Sequence, residues 1–338
     1  MYPEAGVSEP SMQGRRVVVT GAGGFIGSHL VEALVQAGAR VRAMVHYNAR
    51  DDRGALAWVS PAAMEQVEVF AGDIRSPESA SQAVAGSEVV FHLAAQIAIP
   101  HSYVDPRTFF ETNVIGGLNV AQACRADDVE RLVHTSTSEV YGTAQQVPIS
   151  EDHPLSAQSP YAASKIGADH AVASFHRSFG LRTTTVRPFN VYGPRQSGRS
   201  VIPAIISQAL HGNTIALGSL EPRRDFTYVA DVVRGFINLA ETEGTVGATI
   251  QLGSGGDVSI EELVDAIGAA MDRDLAVEAD ERRLRPRDSE VMRLLSDPSR
   301  ATELTGWRPD VTLAEGLALT LTWIEEHLDL YRTGEPVT

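Results

Sequence analysis

An apolar run, Arg16-Val-Val-Val-Thr20, passes directly into Gly21-Ala-Gly-Gly24-Phe-Ile-Gly27 and then into a stretch of helical period, Ser28-His-Leu-Val-Glu-Ala-Leu-Val-Gln-Ala37, closed by Gly38. Few backbone arrangements accept that order. The apolar run reads as a short buried strand and the periodic stretch as an amphipathic helix, so the glycines must turn the chain between them. Gly21 suits a tight turn, Gly24 lets backbone approach a diphosphate, and Gly27 lets the helix lie close to a sheet. The helix N-terminus then offers unpaired N–H groups to an anion. Glycines in a merely flexible turn are the other reading; the strand before and the helix after favour a dinucleotide cradle.

The alternation continues through the first half of the chain. Segments 40–46, 67–71, 89–93 and 132–136 read as strands with helical patterns between them, which argues for a parallel sheet covered by helices on both faces. Apolar stripes at 104–124 and 161–179 predict two long amphipathic helices. After Thr183-Thr-Thr-Val-Arg-Pro188, glycine, proline and arginine become frequent, strands shorten, and helices such as 260–271 are separated by loops. The expectation is an α/β fold: a doubly wound parallel sheet in 15–189, with 225–252 returning to it, and a smaller C-terminal α/β substrate lobe in 190–330 over the sheet's carboxyl edge, where open sheets bind ligands. Residues 1–14, rich in Pro, Glu, Gly and Ser, are expected to be a disordered tail.

The formal net charge of −15 argues against a nucleic-acid surface, because phosphate backbones are bound by a basic excess. No stretch is long and apolar enough to span a bilayer, and the first residues lack the basic start and apolar run of a secretion signal. Cys124 is the single cysteine, which excludes an internal disulfide and a cysteine-built metal site. No metal and no membrane partner are expected, and a cytoplasmic location follows.

Tyr161-Ala-Ala-Ser-Lys165 places a phenol and an amine four residues apart, on one face of a helix. A phenol with an ordinary pKa of about 10 is a poor base at neutral pH, but a nearby ammonium stabilises the phenolate. Such a tyrosine can take a proton from an alcohol. A solvated helix face is the alternative for this pair taken alone.

These segments together resemble the extended short-chain dehydrogenase/reductase family, specifically its nucleotide-sugar epimerases and dehydratases. The resemblance runs from about Arg15 to Gly306-Trp307-Arg308-Pro309. It is carried by Thr20-Gly-Ala-Gly-Gly-Phe-Ile-Gly27, Gly72-Asp73-Ile74, His92-Leu-Ala-Ala95, Asn113, Ser136-Thr-Ser-Glu-Val-Tyr-Gly142, Tyr161 with Lys165, Arg187-Pro-Phe-Asn190, Tyr192-Gly-Pro-Arg195 and Arg224-Asp-Phe-Thr-Tyr-Val-Ala-Asp231. The family implies a Rossmann-type sheet and a nicotinamide cofactor held by Gly21, Gly24, Phe25, Ile26, Gly27, Tyr47, Asn48, Asp73, Ile74, Leu93, Ala94, Ala95, Tyr161 and Lys165. Asp73 and Ile74 would hold the adenine, and Lys165 would also bond the nicotinamide ribose. Tyr47 stands where most NAD users place an acidic residue. His46, Arg50 and Arg53 could meet a 2′-phosphate there, so NADP stays open beside the NAD that the resembling dehydratases use. The family also implies a homodimer paired through the helices at 104–124 and 161–179.

Thr137-Ser138-Glu139 decides the chemistry that the resemblance implies. Simple epimerases of the family carry Ser or Thr here and no carboxylate. Once the sugar C4 alcohol is oxidised, the C5 hydrogen becomes acidic, and Glu139 could remove it as a general base before the C6 hydroxyl leaves as water. Ser138 departs from the dTDP-glucose dehydratases, which place an aspartic acid there, whereas Thr-Ser-Glu resembles the GDP-mannose dehydratases and the UDP-glucuronate decarboxylases. Ala98-Ile-Pro-His-Ser-Tyr103, Gly218-Ser-Leu-Glu-Pro-Arg-Arg-Asp225 and Glu281-Arg-Arg-Leu-Arg-Pro286 resemble the dehydratases of legionaminic acid biosynthesis, which act on a nucleotide-linked N-acetylglucosamine. The implied partner is a nucleotide-diphosphate sugar, held by Asn190, Arg224 and Arg285, since a guanidinium fork suits paired phosphate oxygens. Arg195 and Arg199 are further cations near that end. A decarboxylase, a 4-epimerase and an inactive cofactor-binding module are the other readings.

Overall fold

Arg16–Thr20 (β1), Arg40–His46 (β2), Val67–Gly72 (β3), Val89–His92 (β4), Arg131–Thr135 (β5), Thr183–Pro188 (β6) and Thr249–Leu252 form one parallel sheet in the computed structural model, which describes residues 12–331. Thr249–Leu252 lies at one edge beside β6, and the order continues β5, β4, β1, β2, β3. Strand order reverses between β1 and β4, which opens a crevice beyond their carboxyl ends. In register, Thr20 sits opposite His92 and His92 opposite His134, so β1, β4 and β5 reach that edge side by side.

Alternation of side chains explains why both faces are covered. Val17 and Val19 face the helix Phe25–Gln36 (α1), where they pack with Leu30, Val31 and Leu34. Val18 points the other way, into a second core with Ala80, Ala83, Val120, Cys124, Val172 and Phe175 from the helices Pro77–Val84, Gly116–Ala126 and Pro160–Phe179.

The stripe read as a single helix over 104–124 is broken. Helices Ile99–Val104 and Pro106–Phe110 meet at Asp105, whose carboxylate caps the second by accepting the Thr108 N–H at 3.3 Å. Pro106 has no N–H to continue the first helix. A wide π turn, Glu111–Ile115, then leads into Gly116–Ala126. It carries the buried Asn113, whose amide exchanges bonds with the Gln96 backbone at 2.8 and 3.0 Å and donates to Ser164 Oγ at 2.8 Å. Such turns gather at functional sites.

Beyond β6 the chain builds small sheets: Asn190–Tyr192 with Phe226–Tyr228, Thr214–Leu217 with Ala276–Ala279, and Arg223–Arg224 between Val258–Ser259 and Arg293–Leu294. Helix Val229–Glu241 goes back to pack on α1 and delivers Thr249–Leu252 to the main sheet. Of the tail expected at 1–14, residues 1–11 lie outside the described residues. Met12 is buried, and the Gly14 N–H bonds the Gly38 carbonyl at 2.8 Å, so the chain is anchored from there on. No helix among the described residues is long and apolar enough to cross a membrane.

Candidate active site

The glycine turn is packed backbone to backbone. Gly21 takes φ +71°, and a Cβ there would stand 2.6 Å from the Ala94 nitrogen; at Gly27 it would stand 2.3 Å from the Gly21 carbonyl oxygen. These contacts bring the turn, the Leu93-Ala94-Ala95 loop and the start of α1 together. No side chain caps α1 at Gly24, so the N–H groups of its first turn, at Phe25 and Ile26, are available to an anion. The cradle therefore fits a dinucleotide diphosphate. Gly27→Ala is expected to push the turn open and weaken dinucleotide binding at least about tenfold, read by calorimetry on the purified protein.

At the adenosine end the residues play unequal parts. Asn48 spends its amide on its own loop, accepting the Arg50 and Asp52 N–H groups at 3.0 Å each and donating to the Asp52 carbonyl at 2.7 Å. It shapes the loop instead of offering a free amide. That loop leans on the glycine turn through the Ala55 N–H to the Gly23 carbonyl at 2.8 Å. Tyr47 is 69% exposed. Arg75 forks the Asp73 carboxylate at 2.6 to 3.1 Å, and that hydrogen bonding holds the carboxyl below its usual range. Ile74 is buried against Gly116. Arg53 pairs with Asp51 at 3.5 Å.

The reactive groups hang from the end of β5 and the start of the 160–179 helix. Ser159 caps that helix by accepting the Ala162 N–H at 3.1 Å and Pro160 begins it, which puts Tyr161 in the first turn and Lys165 one turn on. Lys165 Nζ donates to the Thr135 carbonyl at 2.6 Å. Two residues later Thr137 caps the short turn Ser138–Tyr141 by accepting the Glu139 N–H at 3.2 Å, and its side chain also hydrogen-bonds Tyr161. Ser138 is buried, while Glu139 is half-buried. The Glu139 charge acts on two groups, opposing ionisation of Tyr161 and supporting the cation of Arg224. Thr137, Glu139 and Tyr161 are thus brought together, with Ser138 on the same short turn and Lys165 tied to the end of β5.

Burial dominates the electrostatics there. It pushes the Tyr161 phenol well above its ordinary value, against the Thr137 hydrogen bond that favours the phenolate. It lowers Lys165 to about 8, against the attraction of Asp169. Lys165 is also the chain's only lysine among 28 lysine and arginine residues, a signal that motif reading passes over.

At the far side of the cleft, the buried Arg224 donates to the Arg223 carbonyl at 3.0 Å and to Glu290 at 3.3 Å, and Arg285 lies 3.6 Å from the same Glu290 oxygen. Asn190 Oδ1 is buried with no hydrogen-bond partner among the described residues. Arg195 is not part of this cluster: it binds Glu32 of α1 at 2.7 Å and the Trp58 carbonyl at 3.0 Å. Arg199 is exposed, its N–H bonding Ser197 Oγ at 3.3 Å. Glu290, which links the two arginines, lies in Ser289-Glu-Val, a segment that resembles the dehydratases of legionaminic acid biosynthesis but whose spacing assigns it no role. Arg224→Ala is expected to weaken binding of a nucleoside diphosphate about 10- to 100-fold in a calorimetric titration, the value of a lost charge-assisted hydrogen bond.

A family model described as GDP-mannose 4,6-dehydratase matches residues 18–320. The chain belongs to this family. It is 36% identical over 313 residues to a UDP-glucose 4-epimerase of Mycolicibacterium smegmatis, covering 90% of this chain and 97% of the relative. It is 34% identical over 319 residues to a dTDP-glucose 4,6-dehydratase of Streptomyces griseus, covering 92% and 94%. Among solved structures, a double mutant of DesIV, a dTDP-glucose 4,6-dehydratase from Streptomyces venezuelae with NAD bound, superposes with a TM-score of 0.82 at 29% identity, covering 94% and 98%. The GDP-mannose 4,6-dehydratase family is a family of enzymes within the extended short-chain dehydrogenases, so the resemblance and the doubly wound fold are borne out.

Proposed function

We propose that the chain is a nucleotide-sugar 4,6-dehydratase acting on UDP- or GDP-N-acetylglucosamine with bound NAD. The observation that carries the dehydratase reading is the carboxylate of Glu139, which stands at the end of β5 and acts on both Tyr161 and Arg224. The glycine turn with Phe25 and Ile26 would hold NAD, whose nicotinamide would supply a hydride acceptor for the sugar C4 and, once reduced, a donor for C6. Arg224, Arg285 and Asn190 hold the diphosphate and set the sugar against Tyr161. Tyr161 takes the proton of the C4 hydroxyl, helped by the Lys165 ammonium and the Thr137 hydrogen bond. Glu139 then takes the C5 proton, made acidic by the new ketone, and delivers it to the departing C6 hydroxyl as water leaves. Addition of hydride at C6 and of a solvent proton at C5 to the resulting 4-keto-5,6-ene gives a 4-keto-6-deoxy sugar nucleotide. Ser138 has no acidic proton for this step, so Glu139 does both parts.

A 4-epimerase is the second reading, favoured by the 36% identity to the mycobacterial UDP-glucose 4-epimerase. The protein, supplied with NAD and a panel of UDP-, GDP- and dTDP-linked sugars, is expected to release a product lighter by one water from an N-acetylglucosamine nucleotide. A product of unchanged mass would establish the epimerase, and loss of carbon dioxide from a glucuronate nucleotide the decarboxylase. The reading includes a homodimer paired through the segment 99–126 and the 160–179 helix, where Val104, Phe110, Ile115 and Phe179 stand exposed. Sedimentation of a monomer at micromolar concentration would overturn that part.

A further inference from the structure

Beneath Lys165 lies a buried polar cluster that the reaction as derived does not use. Asp169, one turn beyond Lys165 on the same helix and 6% exposed, accepts hydrogen bonds from Ser136 Oγ at 2.8 Å and from Arg187 Nη2 and Nε at 3.0 and 3.3 Å. It also meets His134 Nε2 at 3.3 Å. Arg187 continues to the Tyr141 hydroxyl at 3.0 Å, which donates to Gln251 Oε1 at 3.3 Å. On the other side His134 stacks on His92 with ring centroids 5.6 Å apart, and His92 Nδ1 lies 2.8 Å from Thr20 Oγ1.

Two features of this cluster bear on the reactive pair. The first is mechanical. The bond from Lys165 to the Thr135 carbonyl and the bond from Ser136 to Asp169 are successive rungs between the strand end and the helix. Thr137 and Glu139 leave the sheet immediately after the second rung. The second is electrostatic. Asp169 on its own helix acts on Lys165, which acts in turn on His92 of β4 and His134 of β5; Arg187 of β6 binds the same Asp169, Tyr161 stands one turn earlier on the helix, and Glu139 lies on the turn that follows β5. Burial holds both histidines below their ordinary values and so neutral. Arg187 does not lose its proton in a protein. Two buried cations, Lys165 and Arg187, therefore share one buried anion.

We propose that Asp169 is a positioning residue of the active site, fixing the end of β5 against the catalytic helix and supplying the counter-charge that keeps Lys165 an ammonium. Without it the cluster would hold two cations and no anion. Because Arg187 cannot yield its proton, Lys165 would. The inference rests on the proposed role of Lys165 as partner of Tyr161, but its test needs neither substrate nor cofactor, so the two can fail separately.

Lys165 being the only lysine makes the test direct. Protein grown with lysine labelled at Nζ and Cε gives a single lysine side-chain resonance, titrated by NMR in the cofactor-free chain. The wild-type midpoint is expected near 8. Asp169→Asn is expected to lower it by about one unit or more, the usual effect of removing an adjacent opposite charge. Asp169→Glu should hold it within a few tenths of a unit, and Ser136→Ala, which removes a neutral rung and leaves the anion, should leave it in place. An unchanged midpoint in Asp169→Asn, or an equal shift in Ser136→Ala, would overturn the proposal. If Asp169→Asn does not fold, Asp169→Asn/Arg187→Gln removes one buried charge of each sign; its midpoint should still fall, and a wild-type value would overturn the proposal equally.

Discussion

Glu139→Gln is expected to slow water loss by about 10²- to 10⁴-fold, the range for a positioned general base, while C4 oxidation survives. The amide keeps the volume and the capped turn of the carboxylate, so the loss is chemical. Glu139 opposes ionisation of Tyr161. Its neutral replacement therefore eases the Tyr161 step while removing the C5 step. The two steps are read separately. In heavy water the variant should no longer place deuterium at C5 of recovered sugar, yet a 4-keto hexose, trapped by borodeuteride as deuterium at C4, should still form in an amount comparable to enzyme. Water loss at the wild-type rate would remove Glu139 from the mechanism.

Tyr161→Phe is expected to abolish both readouts, with a fall of about 10³-fold or more in turnover, because the phenylalanine has no oxygen to take the C4 proton. The wild-type pH profile carries the same assignment. Burial pushes the phenol up, so proton removal becomes easier as pH rises. Lys165, lowered to about 8, carries its charge below that value and loses it above. The sign is thus a rise with pH on the acid side and a fall as pH passes about 8. A rate that keeps climbing well beyond that point would show that the lysine charge is not required.

Much of the architecture was legible because strand ends coincide with changes of residue type. The run Arg16–Thr20 is apolar until the glycines begin, and the strand stops there. The segment read at 132–136 lies one residue earlier, since Arg131 is buried and its N–H donates to the Glu88 carbonyl at 3.2 Å, just before the neighbouring β4. The stripe at 104–124 misled because helical periodicity runs through Asp105-Pro106 without registering that the chain restarts there. The candidate reactive residues sit just past a strand or within the first two turns of a helix, where sequence order and spatial position agree. Arg195 shows the limit. A motif arginine beside a suspected anion site is drawn off by Glu32, and its backbone at φ +67° turns it that way. Asp169 has no motif of its own, because its partners Ser136 and Arg187 stand 33 and 18 residues away and become neighbours only through the sheet, and the link from Glu290 to Arg224 likewise spans 66 residues.

The chain leaves β6 at Pro188 and leaves the neighbouring edge strand at Leu252, and these two exits are register partners joined again by the Phe189 N–H to the Leu252 carbonyl at 2.8 Å. The small sheets beyond β6 are therefore joined to the main sheet through two adjacent exits. A single strap would let a lobe swivel, whereas paired straps resist torsion and leave bending about one line as the soft motion. Under the proposed function, a sugar nucleotide would meet walls that this paired attachment already holds in register.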